Sequence, residues 1–373
     1  MRSRTLAFAF VAMLSAGLFG QVRSATASPS FSWGLSDIKV DWWGIVPTGP
    51  VVDFGYGSLG LVPGLRSDAL AKAGIGYESY PIYRDELTRD PIFDSAQTAI
   101  EKPDAQFELG LRQGLIPLDS KRDHLTAFIF ANGRVSEYFG APIPGGTTFT
   151  DRYEEAMASM LGGLQLDDSA TSPSGVMDGH NVLFEAEWGP SFLSAQKTDF
   201  ARAGLRGIEY VPVFDLGGDR NLLSGYLVFA ASVKYCDGSN VPLFALEETD
   251  VRGYQIGLDS KLRASATIEG RLNLPSVYGP SDILPVLFVF ADVGWYQGFA
   301  DLNPGSTWAN ASGPLASVGG GLGASVFSFA SPYVYVAVPL ISHDSAGHGL
   351  FGSTPYTLGF GFLFHVESVF DWL

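Results

Sequence analysis

The feature that most limits the fold is an alternation of apolar and polar residues in a chain that has no long apolar run. Hydrophobic residues make up 46% of the sequence and charged residues 17%. After the first 27 residues, no uncharged apolar segment approaches the roughly 20 residues that a transmembrane helix needs. A chain this apolar without such a segment is either a large soluble β protein or a membrane β-barrel.

The alternation has the two-residue period of a β-strand with one apolar face. It is clearest in five segments: 107–112, 182–188, 264–274, 318–326 and 356–364. The 45 Gly, 27 Phe, 15 Tyr and 7 Trp favour a barrel, in which aromatic residues form belts at the membrane interfaces. We therefore predict an all-β fold, a transmembrane antiparallel β-barrel of about 16 strands, with no separate second domain in residues 28–373.

The N-terminal 27 residues have the pattern of a secretory signal peptide. Arg2 and Arg4 form the charged start, an apolar core follows, and Ala25-Thr26-Ala27 gives a small-residue cleavage pattern before Ser28. A membrane anchor is the alternative, but the apolar run is short for a spanning helix. Secretion together with a barrel predicts the bacterial outer membrane as the location.

The charge balance argues against a nucleic-acid partner. The first 27 residues hold three Arg and no acid, so the 23 basic residues fall to 20 against 39 acidic ones. Nucleic-acid binding depends on Lys and Arg at phosphates, which this balance does not favour. Cys236 is the only cysteine, so no disulfide can form within one chain.

Two stretches, 65–104 and 140–178, are long and weakly patterned. The second predicts a helix over Asp151–Leu161, with Asp151 as the cap, Glu154 three residues on, and Gly162 as the stop. We expect this helix to pack in a loop or in the lumen.

The C-terminal strand carries a polar–glycine–aromatic pattern formed by Thr357, Gly359, Phe362 and Phe364. This pattern resembles the recognition signal read by the bacterial barrel-insertion machinery, which is therefore an expected partner during biogenesis. The pattern usually ends the chain, whereas nine residues follow here, so the register of the last strand stays open.

A constellation of charged residues lies in the last third of the chain. Val251-Arg252-Gly253-Tyr254 precedes a strand that carries Glu269, and a second strand contains Phe290-x-Asp292-x-Gly294. Strand parity points Glu269 away from the apolar face. Because isolated charges are costly in a membrane, inward charges should be paired, and an arginine fork can hold carboxylates. We expect a loop to fold inward and bring Arg252 to both acids.

These residues resemble the superfamily of outer-membrane assembly factors, two-partner secretion transporters and bacterial surface antigens. The glycine-rich segment 316–322 also matches, and the resemblance covers about residues 251–364. It implies a 16-stranded barrel with Arg252 at the tip of an inward-folded extracellular loop, and Glu269 and Asp292 as its lumen partners. It also implies transport or membrane insertion of polypeptides, without a cofactor.

The sequence departs from the family in two places. The superfamily normally has periplasmic polypeptide-transport-associated domains before the barrel, and we expect none here, so substrate capture by such domains is either absent or supplied by a partner. No glycine precedes Glu269 within four residues. The Arg252 cluster could also do no more than hold a loop in place.

Other functions stay open as alternatives. A passive porin with an acidic lumen, or a surface adhesin that binds through residues 140–178, would show the same alternation. His343, Asp344 and His348 suggest a metal site or a hydrolase only weakly, and a solvated loop is the simpler interpretation. With no phosphate-binding loop and no dinucleotide motif, we predict that the chain is not an enzyme and holds no cofactor or metal.

Overall fold

The structure is a computed structural model of the 373-residue chain. The residues that it describes are 30–35, 38–41, 44–47, 52–57, 61–62, 65–80, 83–84, 91–92, 100–118, 123–138, 153–172, 174–195, 197–216, 223–239, 241, 251–254, 260–277, 283–298, 312–326, 330–341 and 356–364. The predicted signal peptide and the candidates His343, Asp344 and His348 lie outside these residues.

Nineteen strands and one short 3-10 turn make up the described structure. The strands are β1 (Ser30–Leu35), β2 (Ile38–Asp41), β3 (Gly44–Pro47), β4 (Val52–Gly57), β5 (Ser67–Tyr80), β6 (Tyr83–Arg84), β7 (Pro91–Ile92), β8 (Ile100–Pro117), β9 (Asp123–Tyr138), β10 (Tyr153–Asp167), β11 (Ala170–Thr171), β12 (Met177–Gly189), β13 (Asp199–Asp215), β14 (Ser224–Ser239), β15 (Leu262–Asn273), β16 (Ile283–Gln297), β17 (Ser312–Val326), β18 (Ala330–Pro339) and β19 (Thr357–Phe364). The 3-10 turn is Ser191–Leu193.

All pairings are antiparallel, and 17 strands belong to one sheet. From β8 onward each long strand pairs with the next, and β19 pairs in turn with β2, β2 with β3, and β3 with β5. Strands β1 and β4 branch from β5, and β11 adds only two residues beside β12. Fourteen strands of the described chain therefore follow one another around the sheet, rather than about 16. The predicted class, an antiparallel transmembrane β-barrel, is confirmed.

The two faces of the sheet differ as a barrel in lipid requires. In β16, Val289 and Val293 are 67% and 55% exposed, whereas Phe290 and Asp292 between them are 5% and 1% exposed. The apolar, exposed face meets lipid and the opposite face lines the lumen. We call the latter the inner face. Because a strand's side chains alternate, every second residue of β12 to β18 points to this inner face.

The two ends of the barrel differ in the length of their connections. From β8 to β19, one end carries connections of three to nine residues, and the other carries connections of nine to 22 residues. Outer-membrane barrels have short periplasmic turns and longer extracellular loops. We therefore assign the end with the 22-residue β14–β15 connection as the extracellular mouth and the other end as the periplasmic mouth.

The helix predicted over Asp151–Leu161 is wrong, because residues from Tyr153 onward form strand β10. Strand β10 pairs with β9 at 14 consecutive positions and with β12 on its other side. Its Glu, Ala and Met residues favour a helix locally, but in lipid every backbone group needs a partner, and this strand supplies partners on both sides. The weakly patterned stretches 65–104 and 140–178 therefore contain wall strands, β5 and β10.

Among the described residues, none of the helical segments has the length and apolar character needed to cross a membrane.

Candidate functional site

Four consecutive residues of the β14–β15 connection, Val251 to Tyr254, lie against the inner face of β15 to β18. We call them the Arg252 segment. Val251 and Tyr254 are only 2% and 3% exposed, so the segment is packed on the wall. The guanidinium of Arg252 contacts β15 and β16, the two strands that follow it in the sequence.

Arg252 holds the carboxylate of Asp292 by a two-pronged contact. Its Nε donates to Asp292 Oδ2 and its Nη2 donates to Asp292 Oδ1, both at 2.8 Å. The backbone N–H of Arg252 donates to Oδ2 as well, at 3.1 Å. Bidentate geometry of this kind gives strength and orientation that a single point charge cannot give. Asp292 is 1% exposed, so the donors of Arg252 take the place of water at this carboxylate.

Glu269 receives the remaining donor of Arg252 and is shared with a second arginine. Arg252 Nη1 donates to Glu269 Oε2, and Arg271 Nε donates to Glu269 Oε1 at 2.5 Å. Glu269 is 4% exposed. Two guanidinium groups and two carboxylates thus form one neutral cluster on the inner face, which is how buried charges become tolerable.

The three spaced residues of strand β16 have distinct tasks, and parity places them all on the inner face. Phe290 lies under the guanidinium, with Arg252 Cζ 3.5 Å from the ring centroid, which is a cation–π contact. Asp292 provides the carboxylate. Gly294 provides space, because a Cβ there would lie 2.7 Å from Val251 Cγ2.

Gly253 and Tyr254 fix the direction of the segment after Arg252. Gly253 has φ +96°, a conformation that favours glycine, and a Cβ would lie 3.2 Å from Ala337 Cβ. The Tyr254 hydroxyl lies 2.9 Å from the carbonyl oxygen of Ala316 and 3.0 Å from that of Ile341. It also accepts the N–H of Ala316 at 2.9 Å. This tyrosine therefore binds the backbone where the β17–β18 ladder ends at Pro339.

The high glycine content of strand β17 has a steric cause. Gly319 pairs with Phe290, and a Cβ on Gly319 would lie 2.4 Å from that ring. The ring that supports Arg252 therefore needs a glycine on the neighbouring strand. Tyr335 stands edge-on to the same ring, with centroids 5.9 Å apart.

The four residues of the C-terminal pattern all lie in β19, away from the Arg252 segment. Gly359 pairs with Tyr335, and a Cβ on it would lie 2.2 Å from that ring. Thr357 pairs with Ala337, and Phe362 and Phe364 fall in the part of β19 that pairs with both β18 and β2. Strand β19 thus joins the end of the chain to its beginning.

A second buried acid–arginine pair on the inner face was not predicted from the sequence. Glu187 of β12 is 5% exposed and accepts bonds from Arg202 of β13 through Nε and Nη2, both at 2.6 Å to Oε2. Ser159 of β10 donates to the other oxygen, Oε1. Inward parity and opposite charge on adjacent strands could have revealed this pair, but the register between the strands was needed to do so.

Within the described part of the chain, no group of His, Cys, Asp or Glu residues is placed to hold a metal ion.

Several solved structures align with this chain. CdiB from Escherichia coli aligns over 92% of this chain and 68% of its own, with 12% identity and a TM-score of 0.50. BamA from Haemophilus ducreyi lacking POTRA domains 1-3 aligns over 90% and 70%, with 12% identity and a TM-score of 0.48. CdiB from Acinetobacter baumannii aligns over 90% and 65%, with 11% identity and a TM-score of 0.42. No family model matches the chain, and no curated protein matches it.

The antiparallel ladders and the lipid-facing apolar side define the class: this is a transmembrane β-barrel of the bacterial outer membrane. Within that class, the chain shares its barrel fold with Escherichia coli CdiB. The resemblance drawn from the motif is confirmed at the level of the fold.

Proposed function

We propose that this barrel translocates polypeptides across the outer membrane or inserts them into it, and that the Arg252 segment is a lock on its inner face. The observation that carries the proposal is the position of one guanidinium. It comes from a connection, not from the wall, and it binds Asp292 and Glu269 on two different strands. A loop bound to the inner face is not required for the stability of the strand ladders themselves, so we infer that it has a separate role.

The lock is held by contacts that can be exchanged. Its core is an ion-pair cluster with one aromatic face, and Arg252 keeps 23% of its side chain exposed. Breaking a buried ion pair by removing one partner typically costs about 3–5 kcal/mol. A bound polypeptide could compensate such a cost by forming new contacts. Release of the Arg252 segment from the wall would then be reversible. A periplasmic partner and the polypeptide substrate are part of the proposal.

The test is the conductance of the refolded mature chain in planar lipid bilayers. We expect small, flickering currents from the parent, and larger or longer-lived currents from both Arg252→Ala and Asp292→Ala. The matched control is Arg202→Ala, which removes an arginine from a buried glutamate on the same face but from the wall itself. That control should leave the current pattern as in the parent.

The competing function is a passive porin with an acidic lumen. Large, stable, cation-preferring currents that are indifferent to Arg252→Ala and Asp292→Ala would favour the porin and reject the lock. The adhesin alternative rested on residues 140–178 as a loop, but strand β10 occupies much of that stretch, so its deletion would remove part of the wall. In cells, depletion that disturbs other outer-membrane proteins would indicate assembly, and loss of one exported protein would indicate secretion.

A further inference from the structure

A second segment covers the inner face from the opposite mouth. It consists of residues 172 and 174–176 between β11 and β12, and we call it the periplasmic turn. The carbonyl oxygen of Ser174 accepts bonds from Ser224 Oγ at 3.0 Å and from Asn273 Nδ2 at 3.2 Å. Since these partners start β14 and end β15, the turn extends from its own strand, β12, across β13 and β14 to β15.

The periplasmic turn is packed as tightly as the Arg252 segment. Ser174 Oγ donates to Asp215 Oδ2 at 2.5 Å, and Gly175, with φ +76°, has so little space that a Cβ would lie 2.6 Å from Leu284 Cδ2. Val176 is 4% exposed and packs with Tyr226 and Val228 of β14. The turn therefore rests on an apolar cluster of the inner face, of which Tyr226 is the largest buried member.

A chain of contacts connects the two segments. Arg271 Nη1 donates to the Tyr226 hydroxyl at 3.4 Å, and Arg271 Nε donates to Glu269 Oε1. The other oxygen of Glu269 is bound by Arg252. The path thus runs from Arg252 through Glu269 and Arg271 to Tyr226, and then to Val176 of the turn.

We propose that the periplasmic turn is a second lock and that Glu269 couples it to the Arg252 segment, so that release at the extracellular mouth loosens the turn at the periplasmic mouth. This inference rests on the function proposed above and names its regulation. A polypeptide entering at either mouth would then weaken the closure at the other.

The direction of the coupling follows from charge. With Arg252 in place, the cluster holds two guanidinium groups and two carboxylates. When Arg252 leaves, the two negative charges of Asp292 and Glu269 face the single guanidinium of Arg271, which already binds Glu269, and the uncompensated charge attracts that arginine. Its bond to the Tyr226 hydroxyl is already long at 3.4 Å, so it is the weakest contact in the path. Arg271 moves toward the acids, and Tyr226 loses its anchor beneath Val176.

The test measures the accessibility of the turn directly. In a Cys236→Ser background, which removes the only native thiol, Ser174→Cys places one reporter on the turn; Ser174 is 4% exposed. The mature chain is refolded, and the rate of maleimide labelling is followed by mass spectrometry. Adding Arg252→Ala should accelerate labelling by a factor between about two and a hundred, the range that coupling between contacting residues spans.

Two variants isolate the path. Tyr226→Phe keeps the ring on Val176 and removes the hydroxyl that Arg271 binds, so in this background Arg252→Ala should accelerate labelling less than in the parent. Arg271 Cζ also lies 5.9 Å from the centroid of the Tyr226 ring, and Arg271→Gln removes both contacts, so it should abolish the acceleration. Arg202→Ala is the matched control and should leave the labelling rate unchanged. Heat-modifiability on gels identifies any variant that fails to fold.

The outcomes separate the two proposals. If Arg252→Ala releases its own segment, seen as chymotrypsin cleavage after Tyr254, but leaves labelling at position 174 unchanged, the coupling is wrong and the lock stands. Equal acceleration with Tyr226 and with Phe at position 226 would also overturn the coupling. If neither cleavage nor labelling changes, the cluster holds neither segment, and both proposals fail.

Discussion

Two of the buried carboxylates on the inner face, Glu187 and Asp292, are bound by arginines that come from different parts of the chain. Arg202 lies on β13, the strand next to Glu187, so their pair joins two neighbours of one rigid wall. Arg252 lies in a 22-residue connection and reaches Asp292 on β16. The same chemistry thus stabilises the wall in one place and holds a loop segment on it in the other. Mutations that cost similar energy should therefore have different readouts.

The largest effect is expected for Asp292→Ala. It removes both prongs from Arg252, and breaking a buried pair costs about 3 kcal/mol or more, which corresponds to cleavage faster by roughly a hundredfold. The measurement is the rate of chymotrypsin cleavage after Tyr254, which is 3% exposed in the parent. Glu187→Ala should instead lower the temperature of heat modification without accelerating this cleavage. If Asp292→Ala and Glu187→Ala accelerate cleavage after Tyr254 equally, the Arg252–Asp292 pair does not differ in role from the Arg202–Glu187 pair.

Arg252→Lys should be nearly as severe, because an ammonium cannot reach both oxygens of Asp292 and also Glu269. We expect a loss of about 2 kcal/mol, or roughly thirtyfold faster cleavage after Tyr254. Arg202→Lys is the sharp comparison. Both nitrogens of Arg202 bind a single oxygen of Glu187, so one ammonium can keep that contact, and we expect a smaller loss of barrel stability, about 1 kcal/mol. Full retention of the lock in Arg252→Lys would show that charge alone suffices.

Gly294→Ala should displace the Arg252 segment only because the added methyl group takes up space. The new methyl group would stand 2.7 Å from Val251 Cγ2, and overpacking of this kind costs about 1–3 kcal/mol, so we expect about tenfold faster cleavage after Tyr254. Gly270→Ala is matched, since its Cβ would meet Leu227 and Val289 at an ordinary 3.7 Å. An effect from Gly270 as large as that from Gly294 would mean that glycine flexibility, not space, is decisive.

The smallest effect is expected for Tyr254→Phe. It deletes the hydroxyl that binds the Ala316 backbone and costs about 1 kcal/mol, or roughly fivefold faster cleavage after residue 254. Tyr235→Phe is the control, because that side chain is 43% exposed and its hydroxyl lies 3.4 Å from Asp237. Equal cleavage rates for Tyr254→Phe and the parent would show that the Tyr254 hydroxyl does not hold the Arg252 segment on the wall.

Sequence reasoning succeeded where one short-range rule was enough. The two-residue period led to the barrel, and the same parity argument placed Glu269 on the polar side of its strand, which is where the structure has it. The expectation that Arg252 reaches both acids depended on the motif resemblance rather than on the period. The role of Gly294 needed coordinates, because its spacing gives no hint that Val251 lies above it.

Sequence reasoning failed where distant strands decide. Residues 153–161 favour a helix by composition, and only the ladders with β9 and β12 overrule that preference. The number of strands depends on similar non-local pairings near the N-terminus. The periplasmic turn contains ordinary turn residues, and nothing in Ser174 or Gly175 indicates that they turn inward. The pairing of Glu187 with Arg202 could be recognised only from the register between β12 and β13.

The bond between Tyr254 and Ala316 spans 62 residues of sequence and that to Ile341 spans 87. Such distant contacts form late when a chain folds, because the intervening loop must first be closed. Strand β18 ends at Pro339, and the next residue, Leu340, donates its N–H to the Ala316 carbonyl oxygen at 2.7 Å, the same oxygen that Tyr254 binds. The Arg252 segment thus contacts the wall beside the last backbone bond between β17 and its neighbour, and we expect it to pack there after that bond has formed. A newly inserted barrel whose segment is still outside would already have its β17–β18 ladder, and fast cleavage after Tyr254 would report that state.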